Sequence, residues 1–485
     1  MKILIASPEI FPFKKTGGLA DVTGALPKVL NKLGADVRVI LPKHKGIDET
    51  KFPLEYKNLK IACQVSQAVV EAEIVESAYD GVKAYLVEND EYYYRDYLYS
   101  TPDGDYLDNA ERFIFFSKSI LEAIKETGFV PDVLHCNDWE TALAPVFLKT
   151  IYRDDPILKN IATVFTIHNL GYQGIFWHHD MHLLNIGWEY FTPDYLEFFG
   201  NINFLKGGII FSDIISTVSK KYSEEIQTQE FGYGLDGILR TRKKDLFGII
   251  NGIDHQDWSP ETDEFLPARY NAEDTSNKAV CKEAVQQAFG LPADSSTPLI
   301  ATISRLADQK GFDLISSGLE EMLALGPQYV ILGTGERKYH ELFTEMAKSL
   351  RNSFGVKITY DNRLAHLIEA GADMFLMPSR YEPCGLNQLY SLKYGTIPVV
   401  RGVGGLEDTI IDYTMEPDEG TGFKFYDYTK EAMFDALQRA LKVYQDKAAW
   451  QTLVKRCMTA DFSWERSAKE YLGLYERAIR THELH

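Results

Sequence analysis

The chain has 485 residues, 45% hydrophobic and 25% charged, so it is long enough for two or three globular domains and is neither fibrous nor largely disordered. Its 51 Lys and Arg stand against 70 Asp and Glu, a net charge of −19. That excludes the broad basic face through which nucleic acid and anionic membranes are bound, leaves a neutral polymer open as a partner, and requires any anionic substrate to meet a local cluster of cations.

The first strand is expected at Lys2–Ala6, followed by the Gly17-Gly18 turn and a helix over Leu19–Leu33 with Val22, Ala25, Leu26, Val29, Leu30 and Leu33 at helical spacing and Pro27 as a kink. Strands follow at Val37–Leu41, Val133–Cys136, Ala162–Ile167 and Ile214–Val218, with helices at Glu111–Lys125 and Thr141–Lys149. Such alternation implies a mostly parallel sheet covered on both faces. Residues 51–108 carry period-2 runs and many tyrosines, including Tyr92, Tyr93, Tyr94, Tyr97 and Tyr99, and read as hairpins and an excursion loop. After Asn251-Gly252-Ile253-Asp254 the composition turns polar over 255–297, a linker and lead-in helix. Alternation then resumes with strands at Leu299–Ile303, Tyr329–Leu332, Val356–Tyr360, Met374–Met377 and Ile397–Val400, and helices at Gly311–Leu325 and Glu431–Tyr444. The fold class is therefore α/β, with two doubly wound Rossmann-like domains, residues 1–254 and 255–460, hinged near 252–256 and facing across a cleft, where the carboxyl ends of the strands gather ligands.

Five cysteines, Cys63, Cys136, Cys281, Cys384 and Cys457, are scattered without metal-type spacing and fit reduced thiols. No apolar run approaches the roughly 18 residues of a membrane span, and Met1-Lys2 leads straight into a strand without a leader pattern, so a cytoplasmic protein is expected.

Three motifs follow strands and carry chemistry. Lys14-Lys15-Thr16-Gly17-Gly18-Leu19-Ala20-Asp21 opens a helix whose amides and Lys15 suit a phosphate, although a tight turn with solvated lysines has the same pattern. Ser304-Arg305-Leu306-Ala307-Asp308-Gln309-Lys310-Gly311 offers an Arg fork and a Lys point charge for a diphosphate, or two solvated cations. Ser379-Arg380-Tyr381-Glu382-Pro383-Cys384-Gly385-Leu386-Asn387-Gln388 places a carboxylate, Glu382, and the amides of Cys384, Gly385 and Leu386 at a helix start, where they can meet sugar hydroxyls or serve only the helix dipole. His168-Asn169 and Asn137-Asp138-Trp139 also sit at strand ends. The tyrosines of 92–99 suit stacking on sugars or packing on the domain.

In this order, and each after a strand, these motifs resemble the bacterial glycogen synthases and plant starch synthases, glycosyltransferase family five. The resemblance runs essentially end to end: KTGGLADV near the N-terminus, DNAERF at 108–113, HCNDWETALAP at 135–145, TIHNLGYQG at 166–174, NGID at 251–254, SRLADQKG at 304–311, PSRYEPCGLNQLYSLKYGTIPVVR at 378–401 and GGLEDT at 404–409. It implies a glycosyltransferase-B fold whose C-terminal helix, within 461–485, crosses back to the first domain, and a retaining enzyme that moves glucose from ADP-glucose to the non-reducing end of an α-1,4-glucan (glycogen, starch or maltooligosaccharide). By the same resemblance Lys15, Gly17 and Gly18 bind donor phosphate; Arg305 and Lys310 hold the diphosphate; Glu382, Cys384, Gly385 and Leu386 bind the transferred glucose. His168 and Asn251 lie by that glucose, Asp138 lies at the reaction centre, Tyr360 stacks on adenine and Asp21 faces the acceptor.

The related sucrose synthase pattern of two glutamates eight apart is broken here by Tyr390, and Glu140 stands where many members have histidine after the tryptophan. Catalysis is expected to proceed by front-face displacement without a metal or other cofactor. No nucleic acid or membrane partner is expected, and the compartment is the cytoplasm, or plastid stroma in a photosynthetic eukaryote. The alternatives are a UDP-glucose-dependent synthase of the same fold and a catalytically weak glucan-binding or primer-organising protein; the intact set of Lys15, Arg305, Lys310 and Glu382 argues against the second.

Overall fold

The computed structural model describes residues 1–101 and 103–484; Pro102 and His485, the last residue of the expected 461–485 segment, lie outside the described residues. The chain divides into two compact units, Met1–Val218 with Ser223–Ile249 and Trp464–His485, and Ser219–Tyr222 with Ile250–Ser463. Among the described residues no helix is long and apolar enough to cross a membrane.

The first unit is built on β1 (Lys2–Ala6), β2 (Asp36–Pro42), β3 (Glu55–Val65), β4 (Ala68–Tyr79), β5 (Val82–Glu88), β6 (Val133–Asn137), β7 (Ala162–Ile167), β8 (Ile214–Thr217) and β9 (Leu246–Gly248). They form one sheet in the order β9-β8-β7-β6-β1-β2-β5-β4-β3. The pairings from β9 through β5 are parallel; β4 and β3 add antiparallel strands at one edge. The expected hairpins of 51–108 extend the main sheet, since β5 pairs in parallel with β2 and the two hairpins continue outward, while the described residues of 89–108 lie outside that sheet. The alternation arises because β3 has one face in solvent, whereas β1, β6 and β7 are covered on both faces and read as unbroken apolar runs.

Helix α1 (Gly18–Lys32) runs on through Pro27 and presents Val22, Ala25, Leu26, Val29 and Leu30 to the core, the face its spacing specified. Helix α2 (Asn109–Thr127) buries its first three turns almost completely, including Arg112, which donates to the carbonyls of Tyr92 and Leu98 and to Asn109. Tyr92 and Tyr93 pack beneath this helix against Phe115, and Tyr99 leans on Phe113; only Tyr94 and Tyr97 of that aromatic stretch are exposed.

The chain's last helix belongs to this same unit. Trp464, Ala468, Tyr471, Leu474, Tyr475 and Ala478 join the core formed by β1, β6, β7 and α1. The Tyr475 hydroxyl meets His135 Nδ1 at 2.9 Å, while His135 Nε2 bonds Thr166 Oγ1, which reaches Ser216 Oγ, both at 2.6 Å. A hydrogen-bonded file therefore crosses β6, β7 and β8 inside the core. It is fully satisfied, as buried polar groups must be.

The second unit carries β10 (Leu299–Ile303), β11 (Gln328–Gly333), β12 (Phe354–Ile358), β13 (Met374–Met377), β14 (Ile397–Arg401) and β15 (Phe423–Phe425). All pairings are parallel, in the order β12-β11-β10-β13-β14-β15. This is the doubly wound Rossmann order, with its reversal point between the first and fourth strands. Trp258, just after the segment that leads into this unit, is stacked between His366 and Tyr390 at centroid distances of 3.8 Å on each side, and His366 is bonded to Asp263 at 2.7 Å.

Glu369 is buried here with one oxygen accepting from Ser391 Oγ at 2.7 Å and Oε1 without a partner. Burial pushes its carboxyl up to about 8, against the pull of Ser391 and Lys278. A raised carboxyl binds its proton more tightly in the folded than in the unfolded chain, so its contribution is full below the unfolded value of about 4.3 and is lost as pH rises toward 8. Calorimetric Tm is expected to fall less steeply between about pH 5 and pH 8 in Glu369→Gln than in the native chain. Superimposable slopes would show that Glu369 is ionised across that range.

Candidate active site

In parallel sheets ligands gather where the strand order reverses, because there the loops at the carboxyl ends diverge to opposite faces. The first unit reverses between β1 and β6, the second between β10 and β13. Loops leaving these four strands carry most of the residues singled out by sequence.

In the first unit, the loop after β1 holds Lys15, Gly17 and Gly18, and Gly18 opens α1. Lys15 Nζ is paired with Asp21 at 2.7 Å, one turn into that helix. Burial raises the Asp21 carboxyl, and Lys15 opposes the shift. The amide of Gly17 does not stand open to a ligand as expected. It donates, with the amide and hydroxyl of Thr16, to the buried carboxylate of Glu9. Glu9 thus fixes the glycine loop through Thr16 and Gly17. Burial raises the Glu9 carboxyl, against its hydrogen bonds from Thr16 and Gly17 and with a contribution from Asp21.

Beside it, the turn after β6 carries Asp138 in a left-handed conformation, φ 56°. An Asp tolerates that region better than most side chains. Its Oδ1 accepts the amide of His168 at 2.7 Å, and the Asn169 amide also donates to the carboxylate. Burial pushes Asp138 up to about 7, against those two amides and with Glu9 adding to the rise. His168, after β7, bonds Asn137 Oδ1 through Nε2 at 2.8 Å, and burial lowers it to about 3, so it is a neutral imidazole at physiological pH. The β6 and β7 ends are therefore locked together around Asp138 and His168.

In the second unit, Arg305 leaves β10 exposed and donates to Gln309 at 3.0 Å. Lys310 ends a short 3-10 turn, Asp308–Lys310, before α3 (Phe312–Ala324). Its Nζ meets Glu382 Oε2 at 2.6 Å, and Ser379 Oγ donates to the same oxygen at 3.0 Å. The clamp lysine and the sugar-directed carboxylate named from sequence are therefore one ion pair across the reversal point. Gly311 makes this approach practicable: its φ is +79°, and a Cβ there would lie 2.1 Å from the carbonyl oxygen of Pro378.

Gly385, φ +73°, leads to Leu386, the cap of α4 (Asn387–Tyr394). Helix α5 (Gly404–Thr409) begins directly against this loop, with the Gly405 amide donating to the Glu382 carbonyl at 3.0 Å. A Cβ on Gly404 would sit 1.9 Å from the Glu382 carbonyl oxygen, and one on Gly405 2.1 Å from that of Cys384. Asn251 is buried beside Cys384, and burial pushes the thiol up to about 12 despite hydrogen bonds from Asn251, so it is no nucleophile. Tyr360 needs a correction: β12 ends at Ile358, and the ring stands beyond the strand, 76% exposed. The run Val356-Lys357-Ile358-Thr359-Tyr360 keeps a period-2 alternation of apolar or aromatic and polar residues to its end, and nothing in that pattern marks the turn.

Comparisons with known proteins bear on this arrangement. Residues 2–241 match the family described as starch synthase catalytic domain, and residues 286–453 match glycosyl transferases group 1. The chain is 46% identical to the glycogen synthase of Koribacter versatilis over 99% of its own length and 98% of that protein, and 45% identical to that of Thermotoga maritima over 99% of each. Among solved structures, the catalytic domain of starch synthase IV from Arabidopsis thaliana, bound to ADP and acarbose, superposes with a TM-score of 0.91 at 33% identity, covering 99% of both chains. Sucrose-phosphate synthase from Thermosynechococcus elongatus, at 16% identity and a TM-score of 0.61, shares the fold alone.

Two Rossmann-type units with these loops define a glycosyltransferase of the B fold type. More narrowly, the chain belongs to the family of bacterial glycogen synthases and starch synthases, and is an enzyme of that kind.

Two groups at the site escaped sequence reasoning. Glu9 stands in SPEIFPF, where no spacing distinguishes it from a solvated acid, and Ser379 was quoted only as the start of its motif. The signal for both is positional: each lies within three residues of the end of a strand at a reversal point.

The Gly311 geometry makes a prediction. Gly311→Ala combines an unfavourable φ with a backbone clash and is expected to cost about 2–3 kcal/mol in urea unfolding. A loss below about 0.5 kcal/mol would mean that the Lys310 turn relaxes freely.

Proposed function

We propose that the protein transfers glucose from ADP-glucose to the non-reducing end of an α-1,4-glucan, with retention at the anomeric carbon and without a metal. The observation that carries this reading is the Lys310–Glu382 pair at the β10/β13 reversal point, with Arg305 on the same loop as Lys310. A phosphate-directed cation and a sugar-directed carboxylate held 2.6 Å apart suit a ligand in which phosphate is joined directly to sugar. The relative solved with ADP and acarbose, matched over 99% of the chain, supports the adenine donor and a glucan-like acceptor.

In the proposed reaction the bond from the anomeric carbon to the diphosphate oxygen breaks and the ADP oxygen takes the developing charge. Arg305 and Lys310, with Lys15, stabilise that charge, which is where a preorganised site gains most. The acceptor hydroxyl attacks from the same face and gives its proton to the departing diphosphate oxygen, so no carboxylate nucleophile is needed. Glu382 and the Cys384–Leu386 amides hold the glucose hydroxyls, neutral His168 and Asn251 hydrogen-bond it, Asp138 and Asp21 serve the acceptor, and Tyr360 serves the base. Water is kept out because hydrolysis competes with transfer.

Purified protein assayed with glycogen is expected to prefer ADP-glucose strongly over UDP-glucose and to keep its rate in EDTA. Transfer from UDP-glucose alone overturns the adenine reading, and loss of activity in EDTA overturns the metal-free one. Arg305→Ala and Lys310→Ala are each expected to lower kcat by roughly 10²–10³, the first with an unchanged circular-dichroism melt and the second, which leaves the buried Glu382 without its lysine, with a lower but still cooperative one. Near-native rates in both overturn the clamp.

A further inference from the structure

Three carboxyl groups converge at the β1/β6 reversal point: Glu9 from the loop after β1, and Asp138 and Glu140 from the turn after β6. They are not equally supplied with hydrogen-bond donors. Glu9 takes the Thr16 amide and hydroxyl and the Gly17 amide. Asp138 takes the amides of His168 and Asn169. Glu140 is 5% exposed, receives only its own backbone amide, and its Oε2 is buried with no partner at all.

Among the described residues, the titratable groups that act on Glu140 are acids: Asp138 on its own turn, Glu9 from the β1 loop, and Tyr99 from the segment ahead of α2. Helix α2, which packs on the turn through Ser117 and the Glu140 carbonyl, brings Arg112, but that guanidinium is spent on the carbonyls of Tyr92 and Leu98 and on Asn109. An ionised carboxylate with no donor, buried beside two others, is the arrangement least tolerated in a protein interior. The proton of the cluster therefore belongs on the member with the fewest donors. Burial, then Asp138 and Glu9, raise Glu140 well above the ordinary glutamate range, in keeping with that assignment.

We infer that Glu140 is a positioning residue that stays a neutral carboxylic acid at physiological pH, and that by holding a proton it lets Asp138 and Glu9 ionise without a third charge beside them. Neutral Glu140 spares Asp138 a second adjacent negative charge, so Asp138 remains a hydrogen-bond acceptor near neutrality. Ionised Glu9 keeps its grip on Thr16 and Gly17, and with them on the loop of Lys15 and Gly18. When Glu140 finally ionises, three unscreened charges meet and the turn after β6 loses its fixed geometry. The functional part of the inference rests on the glucosyl-transfer reading, since it assigns Asp138 to the acceptor; the protonation state does not.

The variant that tests it is Glu140→Gln, which keeps shape and neutrality and cannot ionise. Infrared difference spectra between native and variant protein at neutral pH are expected to show the C=O stretch of one protonated carboxylic acid lost. Transfer at pH 7 is expected to stay within about threefold of native, and the alkaline fall in kcat/KM for a maltooligosaccharide is expected to move to higher pH while the acid limb stays. If the spectra show an ionised carboxylate lost instead, or the variant drops more than about tenfold at pH 7, the inference fails. An unmoved alkaline limb overturns its functional part. The infrared readout needs no substrate, so native protein that transfers no glucose overturns the transfer reading while leaving the protonation assignment to stand or fall on its own.

Discussion

Backbone can lie directly on backbone only where no side chain stands between, and the loop of Glu382 depends on that constraint. Gly404 and Gly405 bring the start of α5 against the carbonyls of Glu382 and Cys384, while Gly311 brings the Lys310 turn against Pro378. Three glycines from two separate motifs therefore press on one short stretch, 378–384. Without them Glu382 would be displaced from Lys310, and the ion pair that joins the β10 and β13 loops would have nothing to hold it at 2.6 Å. The spacing of GGLEDT from the rest of the sequence gives no hint of this; its role becomes plain only when the sheet order brings the β14 loop beside the β13 loop.

In each unit the candidate lysine is held by a carboxylate. Lys15 rests on Asp21 and Lys310 on Glu382, each at 2.7 Å or less. Such pairs keep long side chains from wandering and limit the cost of leaving a lone charge half-buried. They also mean that each of the two loops offers little net charge on a strongly acidic protein. On the proposed reading, a phosphate ligand exchanges partners with the carboxylate for the ammonium, which favours a ligand that supplies hydroxyls to the carboxylate as phosphate takes the lysine.

Much of the fold was legible because parallel strands covered on both faces must be apolar throughout. Lys2–Ala6, Ala162–Ile167, Leu299–Ile303 and Met374–Met377 stand out for that reason, and their bounds coincide with the structure. Motifs placed straight after such strands could be assigned to their carboxyl ends before any coordinates. Edges were harder. Alternation in β3–β5 shows that one face is wet, but not which strand the hairpins join, and the strand-like alternation of 356–360 runs on past Ile358, where the strand has ended. Hydrogen-bond supply was invisible. That the Gly17 amide faces Glu9 and not solvent, and that Glu140 Oε2 finds no donor among the described residues, follow from three-dimensional packing that no residue spacing encodes.

The helix Trp464–Glu483 is last in the chain yet fills the core of the unit that the chain begins. Its Tyr475 completes the bonds of His135, and its His482 reaches the buried Asp213 at 3.2 Å and the Lys159 carbonyl at 3.0 Å. During synthesis the strands Lys2–Ala6, Val133–Asn137 and Ala162–Ile167 emerge long before the side chains that cover them. The amino-terminal unit must therefore wait, with part of its apolar face uncovered, while the whole of the second unit is translated. Order of manufacture and order of completion are reversed: the unit whose strands are made first is sealed only after the second unit has been made.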